Sequence, residues 1–415
     1  MILAARAFWL GSTAILVRSW HQFETSGPGT VKPRHAGRGF LRRVAEVGFF
    51  GRTLTIACLL AVVVAAASCR NVAVRPEDVS IPSSLDELVP RLMAKHKVPG
   101  VSIVGIANRG IAWERHYGVR CAGRPQPVEG RTIFEAASMS KLPAAYIALK
   151  LVEQGKLNLD RPLGQYLDMP YLTNEPLHLK ITARMVLSHT TGFPNWRKGG
   201  WRAGGPLPVL HEPGSTFGYS GEGFLYLQRV IEHITGESFE PYVQRTFLKP
   251  VGMSAGSYVW QDDFKRLAAA GHASQGEVRA NRELYHDANA AYSLYCTARD
   301  YASFMIEMLR LDRSRPHSLS AGSIEAMLAR TTRMEGRKPA TRRGGPHSEP
   351  SWYGLGWVID ANAAGDRVSH SGSNGTGFRC YCEFDPKRGE GIVIMTNAVG
   401  GAALWRELIA VAGEP

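Results

Sequence analysis

Apolar residues repeat along this chain with two different periods, and the order of these periods outlines a fold. Alternating apolar and polar positions predict strands at 101–107 and 111–117, joined by the turn Asn108-Arg109-Gly110. Further strand-like runs lie at 357–359, 379–384 and 391–396. Apolar residues at helical spacing predict a helix that ends at Gly236; they are Phe224, Leu227, Val230, Ile231 and Ile234.

Capping signals place other helices around these strands. A capping box at 84–87 opens a helix to about His96, although Pro90 argues for a kink or a later start. Thr182 can cap a helix over 183–188, and a second capping box at 297–300 leads to a helix through Leu311. A terminal helix follows at 402–411. The order predicts an α+β fold, an antiparallel sheet flanked by helices with a mostly helical insertion at about 158–287. The two chain ends must close one sheet.

The N-terminal region predicts export. Several arginines precede a largely apolar stretch of 14 residues at 54–67, which fits a signal peptide better than a membrane-spanning helix. The stretch ends Ala66-Ala67-Ser68-Cys69, which resembles a bacterial lipobox and predicts lipid attachment at Cys69. Cleavage after the alanines without lipidation is the alternative. We expect a leader at 1–69, a catalytic domain at 80–415, and a periplasmic protein or a membrane-anchored lipoprotein of the bacterial cell envelope.

The sequence Ser138-Met139-Ser140-Lys141 is the single S-x-x-K in the chain and the strongest candidate for chemistry. Positions three apart share a face of a helix, so the Lys141 amine can reach the Ser138 hydroxyl and activate it as a nucleophile. The predicted helix runs over 138–153, with Gly155 as its stop. The tetrapeptide alone is equally typical of a solvated helix start.

Two further segments support the chemical interpretation. Tyr219-Ser220-Gly221 follows a glycine-rich turn, and His370-Ser371-Gly372 opens a loop of small residues before the strand at 379–384. With these segments in this order, residues from about 81 onward resemble the serine β-lactamase and penicillin-recognising family. The similar branch contains class C β-lactamases, D-alanyl-D-alanine carboxypeptidases and family VIII carboxylesterases, and it carries S-x-x-K, then Y-x-N, then K-T-G or H-x-G.

The resemblance implies a β-lactamase/transpeptidase-like fold and a role for each motif. Ser138 would attack a carbonyl carbon, and Lys141 and Tyr219 would share its proton. The backbone N–H groups of Ser138 and Ser373 would bind the oxyanion, with His370, Ser371 and Gly372 on the strand edge opposite the nucleophile. The implied substrate is a small molecule or a peptide. Neither a cofactor nor a metal ion is expected.

Two departures from the family pattern bear on the substrate. Gly221 stands where asparagine is usual, and His370 replaces the usual lysine, so an amide and a fixed charge are both missing. We expect a serine hydrolase that forms an acyl-enzyme, most plausibly an esterase or a D-amino-acid peptide hydrolase. The alternatives are a class C-like β-lactamase and a penicillin-binding sensor without turnover.

Composition narrows the remaining options. Of the 415 residues, 44% are hydrophobic and 20% charged, as in ordinary globular enzymes. Of the net charge of +13, residues 1–69 carry +6 and the rest +7, and this moderately basic remainder hints at acidic partners, but no nucleic-acid-binding module accompanies it. Cys380 and Cys382 lie two apart on a predicted strand, so they share a face and are poorly placed to bond each other. These two residues, with Cys121 and Cys296, are interpreted as small hydrophobes rather than disulfide partners.

Three residues between the motifs have two interpretations each. His189 could serve as a general base, although a structural role is favoured at this position. Trp196 and Trp201 flank a glycine-rich loop before Tyr219. They either line the acyl pocket or hold the loop in place, and the sequence leaves this choice open.

Overall fold

The computed structural model describes residues 84–172, 176–280, 283–335, 350–361 and 365–412. All of them belong to one of the two units into which the chain divides, Arg75–Pro415. The predicted leader and Cys69 lie outside the described residues, so export, lipidation and the domain limits remain predictions. Within the ranges above, no helix combines the length and the apolar character that a membrane span requires.

One antiparallel sheet joins the beginning and the end of the catalytic region, as predicted. Its strand order is β2-β1-β10-β9-β8-β7-β6-β5. β1 pairs with β10 in a register that places Val101 opposite Thr396. A separate small sheet pairs β3 with β4. The strands are β1 Gly100–Ala107, β2 Gly110–Gly118, β3 Phe134–Glu135, β4 Tyr295–Cys296, β5 Thr332–Arg333, β6 Ser351–Tyr353, β7 Val358–Asp360, β8 Arg367–Ser373, β9 Arg379–Asp385 and β10 Glu390–Thr396.

Helices cover both faces of the sheet and complete the predicted α+β fold. The first and last helices, α1 and α10, pack together on one face, where Trp405 stacks on Tyr381 of β9 at 4.2 Å. The opposite face packs against α2 and α8 in the larger core. The helices are α1 Ser84–His96, α2 Lys141–Glu153, α3 Ala183–Leu187, α4 Gly221–Thr235, α5 Phe239–Val243, α6 Lys249–Val251, α7 Phe264–Leu267, α8 Ala298–Leu309, α9 Ala321–Leu328 and α10 Gly401–Ala412.

Local signals set the helix ends. The Thr182 side chain caps α3, and the capping box of Thr297 and Asp300 opens α8. The helix α4 ends at Gly236, whose φ of 70° is left-handed and therefore favours glycine. The helix α1 begins at Ser84 and contains Pro90, so the alternative of a later start is wrong.

The third motif corrects the sequence interpretation. The small-residue pattern at 369–378 predicts a loop, but its first part, through Ser373, belongs to strand β8, so the motif lies on a strand edge as the family resemblance implies. Gly372 explains how a strand of small residues fits here, because an added Cβ would lie 2.2 Å from the Ala136 carbonyl oxygen. The strand thus crosses directly against the segment that precedes Ser138. Because β7 pairs with β8 only as far as Ser369, the edge from His370 to Ser373 is left uncovered by β7.

Candidate active site

The candidate nucleophile Ser138 lies on a tight 3₁₀ turn, Ala137–Ser140, between β3 and α2. The sequence placed it on the first turn of an α-helix, and α2 begins at Lys141 instead. Ala137 precedes it with a φ of 49°, in the left-handed region that non-glycine residues seldom adopt. The turn presents the Ser138 side chain, which is half-buried, while its neighbours Met139 and Ser140 are buried.

Two tyrosines from distant segments hold this turn. Pro143 has no N–H to donate to the carbonyl oxygen of Met139, four residues earlier, and the Tyr301 hydroxyl donates to it at 2.9 Å. The Tyr258 hydroxyl donates to the Ser140 carbonyl oxygen at 2.6 Å. Both hydroxyls are buried, so these bonds fix the backbone around the nucleophile. Sequence reasoning missed both tyrosines; Pro143 was the one local sign that an acceptor would need another donor.

Lys141 meets the requirements of a general base. Its Nζ lies 3.5 Å from the Ser138 Oγ and donates to the Ala291 carbonyl oxygen at 2.8 Å. The side chain is 1% exposed, and burial lowers the pKa of Lys141 to about 7. The amine therefore has a substantial neutral fraction at physiological pH. A lysine in water, with a pKa near ~10.4, would be almost fully protonated.

Tyr219 lies beside this amine, with its ring centroid 4.8 Å from the Lys141 Nζ. It directly precedes α4, whose N-cap is Ser220. Burial raises the pKa of the Tyr219 hydroxyl, and the nearby Ser138 side chain opposes the shift only in part. The phenol consequently stays protonated at neutral pH. Of the two groups, Lys141 is therefore the better candidate for the base, and Tyr219 is the better candidate for a proton donor or relay.

His189 supports Tyr219 instead of facing the cleft. Its ring is fully buried and lies 4.2 Å, centroid to centroid, from the Tyr219 ring. The Nδ1 accepts the Ser220 N–H at 3.1 Å, so Nδ1 is unprotonated. Burial, followed by the charges of Lys141 and His370, keeps the pKa of His189 well below its usual value. A neutral imidazole in this position favours the structural interpretation.

The β8 edge brings the remaining candidate residues to the other side of the cleft. The Ser371 and Ser373 side chains are exposed, whereas His370 and Gly372 are buried. Since Gly372 lies against the backbone of the nucleophile segment, the 3₁₀ turn and the uncovered strand edge are neighbours. This arrangement can present the backbone N–H groups of Ser138 and Ser373 to one substrate oxygen.

The hydrogen bonds of His370 constrain its protonation. Its Nδ1 lies 2.8 Å from the Ser371 carbonyl oxygen, and its Nε2 lies 3.1 Å from the Tyr353 hydroxyl. That hydroxyl also donates to the Gly356 carbonyl oxygen at 2.9 Å. Because a carbonyl only accepts, the neutral imidazole fulfils two of these three contacts and the imidazolium fulfils all three. These hydrogen bonds thus permit a protonated ring where the family pattern often has lysine.

Glu135 fastens the turn that follows Ser373. Its Oε2 accepts from the Asn374 amide at 2.5 Å and from the Thr376 hydroxyl at 2.6 Å. The Tyr285 hydroxyl donates to the same oxygen at 3.1 Å. Glu135 belongs to β3, three residues before Ser138, so one buried carboxylate joins the nucleophile segment to the end of β8. No local sequence pattern around Glu135 predicts these contacts, because their partners lie about 150 and 240 residues away.

Metal and thiol chemistry find no support within the described ranges. Their His, Cys, Asp and Glu side chains form no group of three that could hold a metal ion. The cysteines at 121, 296, 380 and 382 are all free. Burial raises the pKa of the Cys380 thiol to about 12, which keeps it protonated and unreactive.

Comparison with known proteins agrees with the resemblance found in the sequence. The beta-lactamase family model matches residues 85–414. The protein flp of Staphylococcus aureus is 22% identical over 330 residues, covering 75% of this chain and 62% of its own length. This chain thus spans less than two thirds of that relative.

Two solved structures share the fold. The octameric penicillin-binding protein homologue from Pyrococcus abyssi has a TM-score of 0.67 and 23% identity, covering 81% of this chain and 78% of its own. The D-alanine carboxypeptidase from Burkholderia cenocepacia has a TM-score of 0.62 and 22% identity, covering 78% and 97%. These TM-scores indicate a common fold. Sequence identities this low carry no information about the reaction, which depends on the residues of the site.

Proposed function

Because the chain belongs to the beta-lactamase family, we propose that it is a serine hydrolase that cleaves carboxylic esters through an acyl-enzyme on Ser138. The observation that carries the proposal is the state of Lys141. Its amine lies 3.5 Å from the Ser138 Oγ, and burial lowers its pKa to about 7. A base with a pKa near the working pH is well suited to general base catalysis.

The reaction divides into two balanced steps. Lys141 accepts the Ser138 proton as Oγ bonds to the ester carbon, and the C–O bond to the alcohol breaks. The proton passes through Tyr219 to the departing oxygen, so alcohol and acyl-enzyme result. Water then adds to the acyl carbon and loses a proton to the same pair, the bond between that carbon and the Ser138 Oγ breaks, and the pair returns the proton to Oγ, so the acid and free Ser138 result. The backbone N–H groups of Ser138 and Ser373 stabilise the oxyanion in both steps, each donor typically contributing ~3 kcal/mol.

The two departures from the family pattern favour esters over β-lactams. Gly221 offers no amide to a β-lactam side chain, and His370 offers a charge only when it is protonated. Each missing contact would contribute about 1–3 kcal/mol when charge-assisted. An activated short-chain ester requires neither contact, so it loses nothing from their absence.

A D-alanyl peptide hydrolase is the second candidate. The imidazolium form of His370 can donate from both ring nitrogens, to the Ser371 carbonyl oxygen and the Tyr353 hydroxyl, and a cation there would attract a peptide carboxylate. The structural similarity to a D-alanine carboxypeptidase is consistent with this chemistry.

Location in the cell envelope is also part of the proposal and rests on the sequence that ends at Cys69. Membrane partition of the expressed protein, lost in Cys69→Ser, would support it, and a soluble protein with an intact N-terminus would refute it.

A substrate panel on wild type and Ser138→Ala tests the function. It contains p-nitrophenyl acetate and butyrate, nitrocefin and a D-Ala-D-Ala peptide, with fluorophosphonate labelling of the same preparations. We expect the highest kcat/KM for the esters, and loss of both turnover and labelling in the variant. Labelling that persists without Ser138 would refute the nucleophile. Nitrocefin hydrolysis equal to ester hydrolysis would favour a β-lactamase, and labelling without turnover would favour a sensor.

A further inference from the structure

The segment that contains Trp196 is bonded to the start of α4 on both sides of that residue. Before it, the Asn195 carbonyl oxygen accepts the N–H groups of Gly221 and Glu222 at 3.0 and 3.1 Å. After it, Arg197 forms an ion pair with Glu222, with an Nη2–Oε2 distance of 2.6 Å and side chains that are 1% and 0% exposed. The backbone of Trp196 is therefore fixed relative to the helix that follows Tyr219.

This fixed backbone places the indole where the side chain of residue 221 would lie. A Cβ added to Gly221 would be 2.4, 2.5 and 2.9 Å from the Cζ2, Cη2 and Cε2 atoms of Trp196. Real Cβ atoms do not approach other atoms so closely. The ring is also packed edge-on against Tyr292, with centroids 5.5 Å apart. The glycine and the tryptophan therefore form one unit, in which the indole occupies the volume of the missing asparagine.

Both neighbours of the indole are close to the catalytic groups. Gly221 is two residues after Tyr219, and Tyr292 follows Ala291, whose carbonyl oxygen accepts the Lys141 amine. Trp196 and Tyr292 are half-buried, so each retains an exposed surface. Trp201 extends the group by donating its indole N–H to the Tyr292 hydroxyl at 3.0 Å. This side of the site is an aromatic wall next to the lysine and tyrosine of the proposed mechanism.

We propose that Trp196 determines acyl-group specificity by offering an apolar surface where a side-chain amide would otherwise bind the substrate. The inference rests on the proposed acyl-enzyme chemistry and specifies its substrate class. Acyl groups that present a hydrocarbon chain or a flat ring to the indole, such as butyryl and benzoyl, gain contact area. Acyl groups with an amide on the carbon next to the carbonyl, as in N-acyl amino acids, must desolvate that amide without a partner.

Esters with one leaving group and different acyl groups test this assignment. The p-nitrophenyl esters of acetic, butyric, benzoic and N-acetylglycine acids keep the leaving group constant. For wild type we expect kcat/KM for butyrate and benzoate to exceed that for N-acetylglycinate by about 10-fold or more, the usual range for a small change in an apolar pocket. Trp196→Ala should lower kcat/KM for butyrate and benzoate by about 10-fold and leave acetate within about three-fold.

Two further variants separate specificity from folding. Trp196→Phe keeps an apolar ring and should retain the wild-type preference. The double variant Trp196→Ala with Gly221→Asn supplies an amide in the vacated volume and should shift the preference toward N-acetylglycinate. Thermal unfolding of each variant shows whether it is folded. If the ratio of kcat/KM for butyrate to kcat/KM for N-acetylglycinate stayed unchanged in a folded Trp196→Ala variant, this inference would be overturned and the proposed function would stand. If wild type released no p-nitrophenolate from any ester, the proposed function would fail, and this inference with it.

Discussion

The two sides of the cleft around Ser138 produce reactive groups by opposite means. On the side of α2 and α4, Lys141 and Tyr219 are enclosed by apolar and aromatic groups, and exclusion of water moves the pKa of each. On the β8 side, Ser371 and Ser373 are exposed, and the useful groups are backbone N–H donors set by strand geometry. The proposed base therefore depends on burial, whereas the proposed oxyanion site depends on close approach of two backbones.

Replacing the buried amine should give the largest effect. Lys141→Met keeps the length and apolar stem of the side chain but removes the base, so we expect turnover to fall by about 10²–10⁴. Steady-state kinetics with p-nitrophenyl butyrate would measure the loss. Near-wild-type turnover would show that Tyr219 or another group takes the proton unaided.

The same substitution should alter the pH dependence of stability. Because the folded state lowers the pKa of Lys141 from 10.5 to about 7, the unfolded state binds more protons between these values. Stability due to this residue therefore rises as pH increases from 7 to 10.5 and is lowest below 7. At neutral pH the lowered pKa of Lys141 destabilises the folded state by roughly 2–5 kcal/mol. Lys141→Met removes this destabilisation and should therefore increase the free energy of unfolding, although loss of the hydrogen bond to Ala291 offsets part of the increase. Denaturant titrations at pH 7 and pH 10 would measure the difference, and a stability no greater than wild type at pH 7 would contradict it.

Removing the phenol should have the next largest effect. Tyr219→Phe keeps the ring that packs on His189 and removes the hydroxyl, so we expect turnover to fall by about 10². The activity of wild type should rise with pH through about 7, where Lys141 loses its proton, and this limb should persist in the variant. If the increase in rate through about pH 7 disappeared from the pH–rate profile of Tyr219→Phe, Tyr219 and not Lys141 would be the titrating base.

A change on the β8 side should be smaller and should depend on the substrate. His370→Lys installs a fixed positive charge at the strand edge, where it can attract the nitrocefin carboxylate. We therefore expect kcat/KM for nitrocefin to rise, so that the ratio of the ester value to the nitrocefin value falls by about 10-fold. Hydrolysis of p-nitrophenyl acetate should change little, since that substrate has no carboxylate. A ratio that stays constant would indicate that the charge of residue 370 does not contact the substrate.

The parts of the fold that were predictable depend on signals a few residues long. Caps at Thr182 and Thr297 and the glycine stop at Gly236 act within one element, so single-sequence patterns are sufficient for them. The order of the three motifs identified the other groups around Ser138 through the family resemblance. Short-range signals thus explain the helix ends and the pairing of Ser138 with Lys141, and the resemblance supplied the rest of the predicted site.

The rest depends on contacts between distant segments. Tyr258 and Tyr301 bond to carbonyls 118 and 162 positions away, and nothing near either tyrosine announces a partner. The small residues of β8 predict a loop by themselves, because glycine is depleted in strands, and only the family resemblance implies a strand edge there; the pairing of β8 with β9 and its contact with Ala136 are non-local. The role of Gly221 was also visible only once Trp196 was placed over it.

The smallest expected effect concerns Ala137, where the two sides of the cleft touch. Its φ of 49° is strained for alanine, and its Cβ lies near Gly372. Ala137→Gly relieves the strain but loses a buried methyl group and adds freedom to the unfolded chain, so stability should change by less than about 1 kcal/mol. Ala137→Val is the matched control, because a β-branched residue in the left-handed region should cost about 2 kcal/mol or more. Thermal unfolding and ester kinetics on both variants would measure the contrast. Equal behaviour of glycine and valine at this position would show that backbone strain does not shape the nucleophile turn.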